Sequence, residues 1–135
     1  MEKAELASIL TEILAPIGFK RKGNFWVING PEITKMVNLQ KYQYSNSYYI
    51  NYGYILKSIP IEGLMMHIGY RLTSKNAFER DQITSLLNLD NDISNLERIK
   101  ELNLAILNNL VSNMQSINTE QDILKDLKLR TNLND

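Results

Sequence analysis

The residues best suited to chemistry are a histidine and an arginine four positions apart. His67 is the one histidine of the chain, and Arg71 follows it within Met65–Leu72, whose composition predicts a strand. Side chains four residues apart in a strand lie on the same face. An imidazole beside a guanidinium could bind a phosphate or a carboxylate. The alternative is a partly buried His67 that is hydrogen-bonded to backbone, which is the commoner fate of a lone histidine.

Motifs for catalysis are absent. The chain has no cysteine, no Gly-x-Ser-x-Gly elbow and no glycine-rich phosphate loop. A single histidine cannot form a multi-histidine metal site, and no carboxylate pair stands out as an acid/base couple. We therefore expect no enzyme activity, no metal and no cofactor. An enzyme that uses His67 as its acid or base ranks third, behind two kinds of binding protein that are described below.

Tyrosines are unusually concentrated in the middle of the chain. Six lie within thirteen positions, namely Tyr42, Tyr44, Tyr48, Tyr49, Tyr52 and Tyr54. Tyrosine is a good interface residue because it offers a large contact area and a polar tip. Strand alternation places some of these side chains in the core. We expect Tyr42, Tyr44 and Tyr49 to be the exposed ones.

Three amide side chains form a second candidate surface. Asn38, Gln40 and Asn51 alternate with apolar residues in two neighbouring predicted strands, so they should share one face. Such amides can form a cross-strand ladder or line a shallow polar groove. This face should be wet, with Ile50 and Leu56 buried on the opposite side under a helix. Amides read hydrogen bonds well and catalyse poorly, so a binding face is the natural interpretation.

These candidates lie between segments of clear periodicity. Residues 3–14 carry a helical apolar stripe that ends at Pro16 and Gly18. Strands are predicted at 25–28, 33–39, 48–56 and 65–72, and capped helices follow from Asn76, Ser94 and Thr119. The prediction is one α+β domain over residues 1–135. It has an N-terminal helix, an antiparallel meander of about four strands, and C-terminal helices on one face of the sheet.

Charge is balanced overall but not locally. Residues 1–80 hold seven lysines and three arginines against six glutamates, a net charge of +4, and residues 81–135 carry −4. The two halves could simply attract each other, or an acidic C-terminal face could meet a basic partner. The short basic run Lys20–Lys22 is interpreted as the solvated start of a hairpin. Because the chain as a whole is neutral, we do not expect this run to bind nucleic acid. The absence of cysteine, of a signal-like start and of a membrane span predicts a cytoplasmic protein.

A family resemblance covers most of the chain. The segments that carry it are Leu14-x-Pro16-x-Gly18-Phe19-Lys20-Arg21-Lys22-Gly23-Asn24, Val37-Asn38-Leu39-Gln40-Lys41, Tyr49-Ile50-Asn51-Tyr52-Gly53 and His67-x-x-x-Arg71-Leu72, with a continuation over Leu110–Leu127. Together they resemble the bacterial family called domain of unknown function 4304. The chain departs from the family pattern at Tyr52 and Tyr54, where smaller aliphatic residues are usual.

The resemblance assigns no activity, so function is argued by analogy. Some similar small α+β proteins neighbour toxin genes and act as immunity proteins. The leading hypothesis is therefore a binding module that neutralises a toxin by direct contact, with a basic toxin as the expected partner. The alternative is a domain that binds a small molecule or peptide through Asn38, Gln40 and Asn51, with His67 and Arg71 as the anion contact. The oligomeric state is left open.

Overall fold

A computed structural model of the chain describes the backbone of residues 1–134 and the side chains of residues 1–130. The helices are α1 (Lys3–Leu14), α2 (Ala77–Leu86), α3 (Asn95–Ile106), α4 (Ser112–Ser116) and α5 (Glu120–Asn134). The strands are β1 (Lys20–Lys22), β2 (Phe25–Asn29), β3 (Ile33–Lys41), β4 (Tyr48–Leu56) and β5 (Ile68–Arg71). The predicted α+β class is confirmed, with the N-terminal helix before the sheet and the other helices after it.

The five described strands form a meander in which every neighbour is antiparallel, in the order β1-β2-β3-β4-β5. Four strands were predicted, and the extra one is β1. The basic run Lys20–Lys22 forms the exposed first strand of a hairpin with β2. Gly23 turns the chain between them with a φ of +61°, a conformation that glycine adopts without strain.

Register divides the sheet into a covered face and an open face. Val37 lies opposite Tyr52, and Leu39 opposite Ile50, so the apolar residues of β3 and β4 share the covered face. The strand residues of this face that are buried are Trp26, Ile33, Val37, Leu39, Tyr48, Ile50, Tyr52 and Tyr54. Ile50 is fully buried, as predicted, whereas Leu56 at the end of β4 is only half-buried.

Helices pack on the covered face alone, as far as the described side chains show. The strand side chains that hydrogen-bond to helices or to the segments joining them are Trp26, Lys35, Tyr52, Tyr54 and Tyr70, all of which are on that face. The buried residues of helices and strands form one hydrophobic core. The opposite surface of the sheet is therefore available for other roles.

Capping residues position the helices as the sequence indicates. Asn76 accepts a hydrogen bond from the Glu79 amide at the start of α2, and Ser94 accepts one from the Glu97 amide at the start of α3. Thr119 and Asp122 bond each other's backbone amides at the start of α5. Between α3 and α4 the helix widens into a π-turn over Leu107–Val111.

A buried arginine holds the α2–α3 connection. Arg98 is 1% exposed, and its guanidinium donates to the backbone carbonyls of Leu86, Asn88 and Asn91. These carbonyls lie at the last residue of α2 and in the segment just after it, where a positive charge is favourable. Burial lowers the pKa of Arg98, although an arginine stays charged in practice. The connection is thus tied down by one side chain.

Ile50→Ala should lower the free energy of unfolding by about 2–5 kcal/mol, because it leaves a cavity in the core. Ile59→Ala deletes the same atoms from a side chain that is 50% exposed, and should cost about 0.5 kcal/mol or less. Urea unfolding of both variants measures the difference. Equal losses would contradict the face assignment.

Arg98→Met should cost about 1–3 kcal/mol, since it leaves buried carbonyls without a donor. Thermal and urea unfolding test this, with Lys100→Met on the exposed side of α3 as the control. If Arg98→Met were as stable as the wild type, the Arg98 guanidinium would be dispensable for stability.

Candidate functional site

One row of open-face residues crosses all five strands, and the strand register places its members directly opposite each other. The row is Lys22, Phe25, Asn38, Asn51 and Arg71. Gln40 and Tyr49 form the adjacent opposed pair, on the same face. The sheet thus assembles seven side chains from five strands, and most of the residues predicted from the sequence are among them.

Asn51 is the centre of a hydrogen-bond network in this row. Its Nδ2 donates to Gln40 Oε1 at 2.9 Å and to Asn38 Oδ1 at 3.3 Å, while its Oδ1 accepts from Arg71 Nε at 3.3 Å. Asn38 in turn donates to the Asn24 carbonyl. The predicted amide ladder therefore exists, and it extends to the arginine.

Asn38 is less accessible than predicted. It is only 5% exposed, whereas Gln40 is exposed and Asn51 is half-buried. The reason is that both polar atoms of the Asn38 amide are satisfied within the protein, so burial carries no penalty. A ligand on this face would meet Gln40 and Asn51 before Asn38.

Arg71 links the amide network to the tyrosines. Its guanidinium carbon lies 3.7 Å from the centroid of the Tyr49 ring, a close cation–π stack. The ring centroids of Tyr49 and Tyr42 are 5.8 Å apart and those of Tyr42 and Tyr44 are 5.6 Å apart, and both pairs of rings meet edge to face. We call Tyr42, Tyr44 and Tyr49 the tyrosine cluster. Tyr44 is 78% exposed, Tyr42 is 37% exposed and Tyr49 is half-buried beneath the arginine.

Two glycines shape a groove next to Arg71. Gly53 and Gly69 are opposed on β4 and β5, and Met66 fills the space where their side chains would be. A Cβ at Gly53 would collide with the Met66 sulfur and the Ile68 carbonyl. The result is a shallow groove of about 460 Å³ whose walls include Gln40, Asn51, Met65, Met66 and Arg71.

His67 does not join this site. It precedes β5, its Nδ1 accepts from the Leu56 amide at 3.0 Å, and its Nε2 lies 3.0 Å from the Pro60 carbonyl. These partners make Nε2 the protonated nitrogen, and they leave neither nitrogen for an anion shared with Arg71. The predicted His67–Arg71 anion pair is therefore not assembled, and the backbone-bonded alternative describes His67.

A second polar cluster lies on the covered side and was not predicted. Asp126 Oδ2 accepts from Arg130 Nε at 2.9 Å and from the Tyr70 hydroxyl at 3.3 Å. Its Oδ1 accepts from Asn113 Nδ2, and Asn113 Oδ1 accepts from the Tyr54 hydroxyl at 2.6 Å. The weak signals in the sequence were two tyrosines on a core-facing strand pattern and an Asp-x-x-x-Arg pair in the last helix.

The environment of this cluster alters its phenols. Burial, helped by the nearby Tyr52 phenol and the Asp126 carboxylate, raises the pKa of Tyr54 well above its ordinary value. Burial also raises the pKa of Tyr70, against the opposing effect of the Arg130 charge. Both hydroxyls are therefore held as neutral hydrogen-bond donors.

Residues 10–115 match the family described as Domain of unknown function (DUF4304). The chain belongs to this family. The match to DUF4304 runs from α1 to α4 and ends before the predicted continuation to Leu127, so α5 lies outside it. No curated protein and no solved structure matches this DUF4304 chain.

None of the described helices of this DUF4304 chain combines the length and the apolar character needed to cross a membrane. In the same part of the chain, no group of three or more histidine and carboxylate side chains has the arrangement of a metal site.

Tyr54→Phe should make the stability of this DUF4304 protein less sensitive to alkali. A phenol with a raised pKa in the folded state stabilises the fold fully below its unfolded pKa of about 10, and that contribution is lost as pH rises further. Urea unfolding from pH 8 upward should give a shallower decline for Tyr54→Phe than for the wild type. Tyr44→Phe, at an exposed position, is the control and should leave the slope unchanged. An identical slope in Tyr54→Phe would contradict the prediction.

Proposed function

We propose that this protein is a non-catalytic binding module that neutralises a toxin by direct contact through the open face of its sheet. The observation that carries the proposal is the tyrosine cluster with Arg71 stacked on Tyr49, on a face that the described helices do not cover. Tyrosine and arginine are the residue types most enriched among the energetic centres of protein interfaces.

Order within the cluster also supports binding. The Tyr42–Tyr44 and Tyr42–Tyr49 contacts and the Arg71–Asn51 hydrogen bond hold these side chains in place before any partner arrives. A partner would then immobilise few side chains, which reduces the entropic cost of association. Exposed Gln40 adds an adaptable polar contact at the margin.

Charge constrains the partner. The open-face strand positions carry Lys20, Lys22 and Arg71 and no carboxylate, so this surface suits a neutral or acidic patch. The basic toxin expected from the sequence would instead fit helices α2 and α3. Their exposed or half-buried acids are Glu79, Asp81, Glu97 and Glu101, near the exposed side chains of Phe78 and Leu96.

The groove beside Arg71 favours a second candidate function. A peptide or small molecule could lie against Met65 and Met66 and hydrogen-bond to Gln40 and Asn51. Methionine-rich walls adapt to varied ligands. The anion contact in this version is Arg71 alone, because both ring nitrogens of His67 are bonded to backbone.

Tyr49→Ala combined with Tyr44→Ala should weaken partner binding at least about tenfold, because truncating an aromatic residue at the energetic centre of an interface costs about 2 kcal/mol or more. Each change should leave stability within about 1 kcal/mol of the wild type. The tagged chain would be used to capture the product of the adjacent gene, followed by titration of the purified pair and a growth-rescue assay.

Two matched controls locate the interface. Ile59→Ala removes an exposed apolar side chain outside the cluster and should bind normally. Glu97→Gln with Glu101→Gln tests the acidic helices. Binding that depends on the glutamates and not on the tyrosines would move the interface to α2 and α3, and rescue without physical association would reject direct neutralisation.

A further inference from the structure

An open cleft lies at the end of β5, on the helical side of the sheet. Its volume is about 790 Å³, and its walls include Tyr52, Tyr70, Lys75, Arg80 and Arg130. Sites for small molecules generally measure about 300–1,000 Å³. Tyr70 and Arg71 line both this cleft and the groove beside Met66, and Arg71 also stacks on Tyr49 of the tyrosine cluster.

The floor of the cleft is ordered by the cluster around Asp126. The carboxylate accepts hydrogen bonds from Arg130, Tyr70 and Asn113, so its acceptor capacity is largely used inside the protein. The Arg130 guanidinium carbon lies 3.6 Å from the Tyr70 ring centroid, which fixes the plane of the guanidinium. The aromatic floor and the charged group are therefore set in place together.

The cleft offers a ligand several N–H groups that can donate hydrogen bonds. Arg130 uses Nε for Asp126, and a guanidinium has five N–H donors. Lys75 and Arg80 are exposed, and neither side chain has a hydrogen-bond or ion-pair partner among the described residues. Among the described side chains, Asp126 is the one carboxylate that lines the cleft, and its cations are Arg71, Lys75, Arg80 and Arg130, so four cations face one anion.

Part of the cleft wall comes from a π-turn, a rare form of helical backbone. The π-turn over Leu107–Val111 places Asn108 and Asn109 in the wall, and the Asn109 carbonyl accepts from the Tyr52 hydroxyl at 3.4 Å. Short π-turns within helices are rare and occur frequently at functional sites. Here the turn brings two amide side chains to the same cleft as the cations.

We propose that this cleft binds a small phosphate monoester, with its phosphate between Arg130, Lys75 and Arg80. A phosphate monoester carries a charge of about −1.5 to −2 at neutral pH, which the excess of three positive charges in the cleft lining can offset. Arginine binds such groups through paired N–H donors. The organic part of the ligand lies over the Tyr70 edge and against the Asn108 and Asn109 amides.

Calorimetric titration of the full chain with AMP, with inorganic phosphate as the comparison, tests the site. AMP should bind saturably and more tightly than phosphate, and affinity should fall about tenfold or more in Arg80→Gln, the loss expected for a charge-assisted hydrogen bond. Arg130→Gln should have the same effect, but it also removes the ion pair with Asp126. Arg80→Gln is therefore the decisive variant, because its side chain is exposed and bonds to no other residue whose side chain the structure describes.

Lys100→Gln is the matched control, since it removes one exposed positive charge from α3 outside the cleft. It should bind AMP as the wild type does. An equal loss in Lys100→Gln would show a general charge effect and overturn the proposal. The absence of saturable binding would also overturn it, as would AMP binding no tighter than inorganic phosphate, which would reduce the site to one for a free anion.

Discussion

The pairing of β3 with β4 is the constraint on which the rest of the molecule depends. Nine residue pairs, from Ile33–Leu56 to Lys41–Tyr48, set the register of these two central strands. Because side chains alternate, a slip of one residue would exchange the faces of one strand. Ile50 would then leave the core and Asn51 would enter it. The hydrophobic core selects the register, and the register in turn assembles the amide network on the other side.

Much of the fold follows from local pattern. Alternation in β3 and β4, the caps at Asn76 and Ser94, and the apolar stripe of α3 all agree with the structure. Strand β1 was missed because its three residues are basic and exposed, so they show neither alternation nor β-branched side chains. Only its pairing with β2 makes it a strand, and pairing is a tertiary property.

The part of the candidate site that lies on strands could be predicted from the alternation of side chains along each strand. Asn38, Gln40, Asn51 and Arg71 meet because residues of equal parity on paired strands share a face. For His67 the same reasoning was insufficient, because hydrogen bonds to a loop carbonyl and to the Leu56 amide determine what its ring contacts. The cleft was not visible at all, since Tyr70 and Asp126 are 56 residues apart and only packing of α5 joins them.

The short outer strands have a consequence for how any protein can associate with this one. Strand β1 has three residues and β5 has four, and all three residues of β1 carry exposed basic side chains. A strand from another protein can extend a sheet only if the edge strand offers a long run of unpaired backbone groups. Short, charged edge strands do not offer such a run. Partners must therefore recognise this molecule through side chains on a surface rather than through its main chain. Selectivity would then be encoded in residue identity, and single substitutions could retune it without disturbing the scaffold.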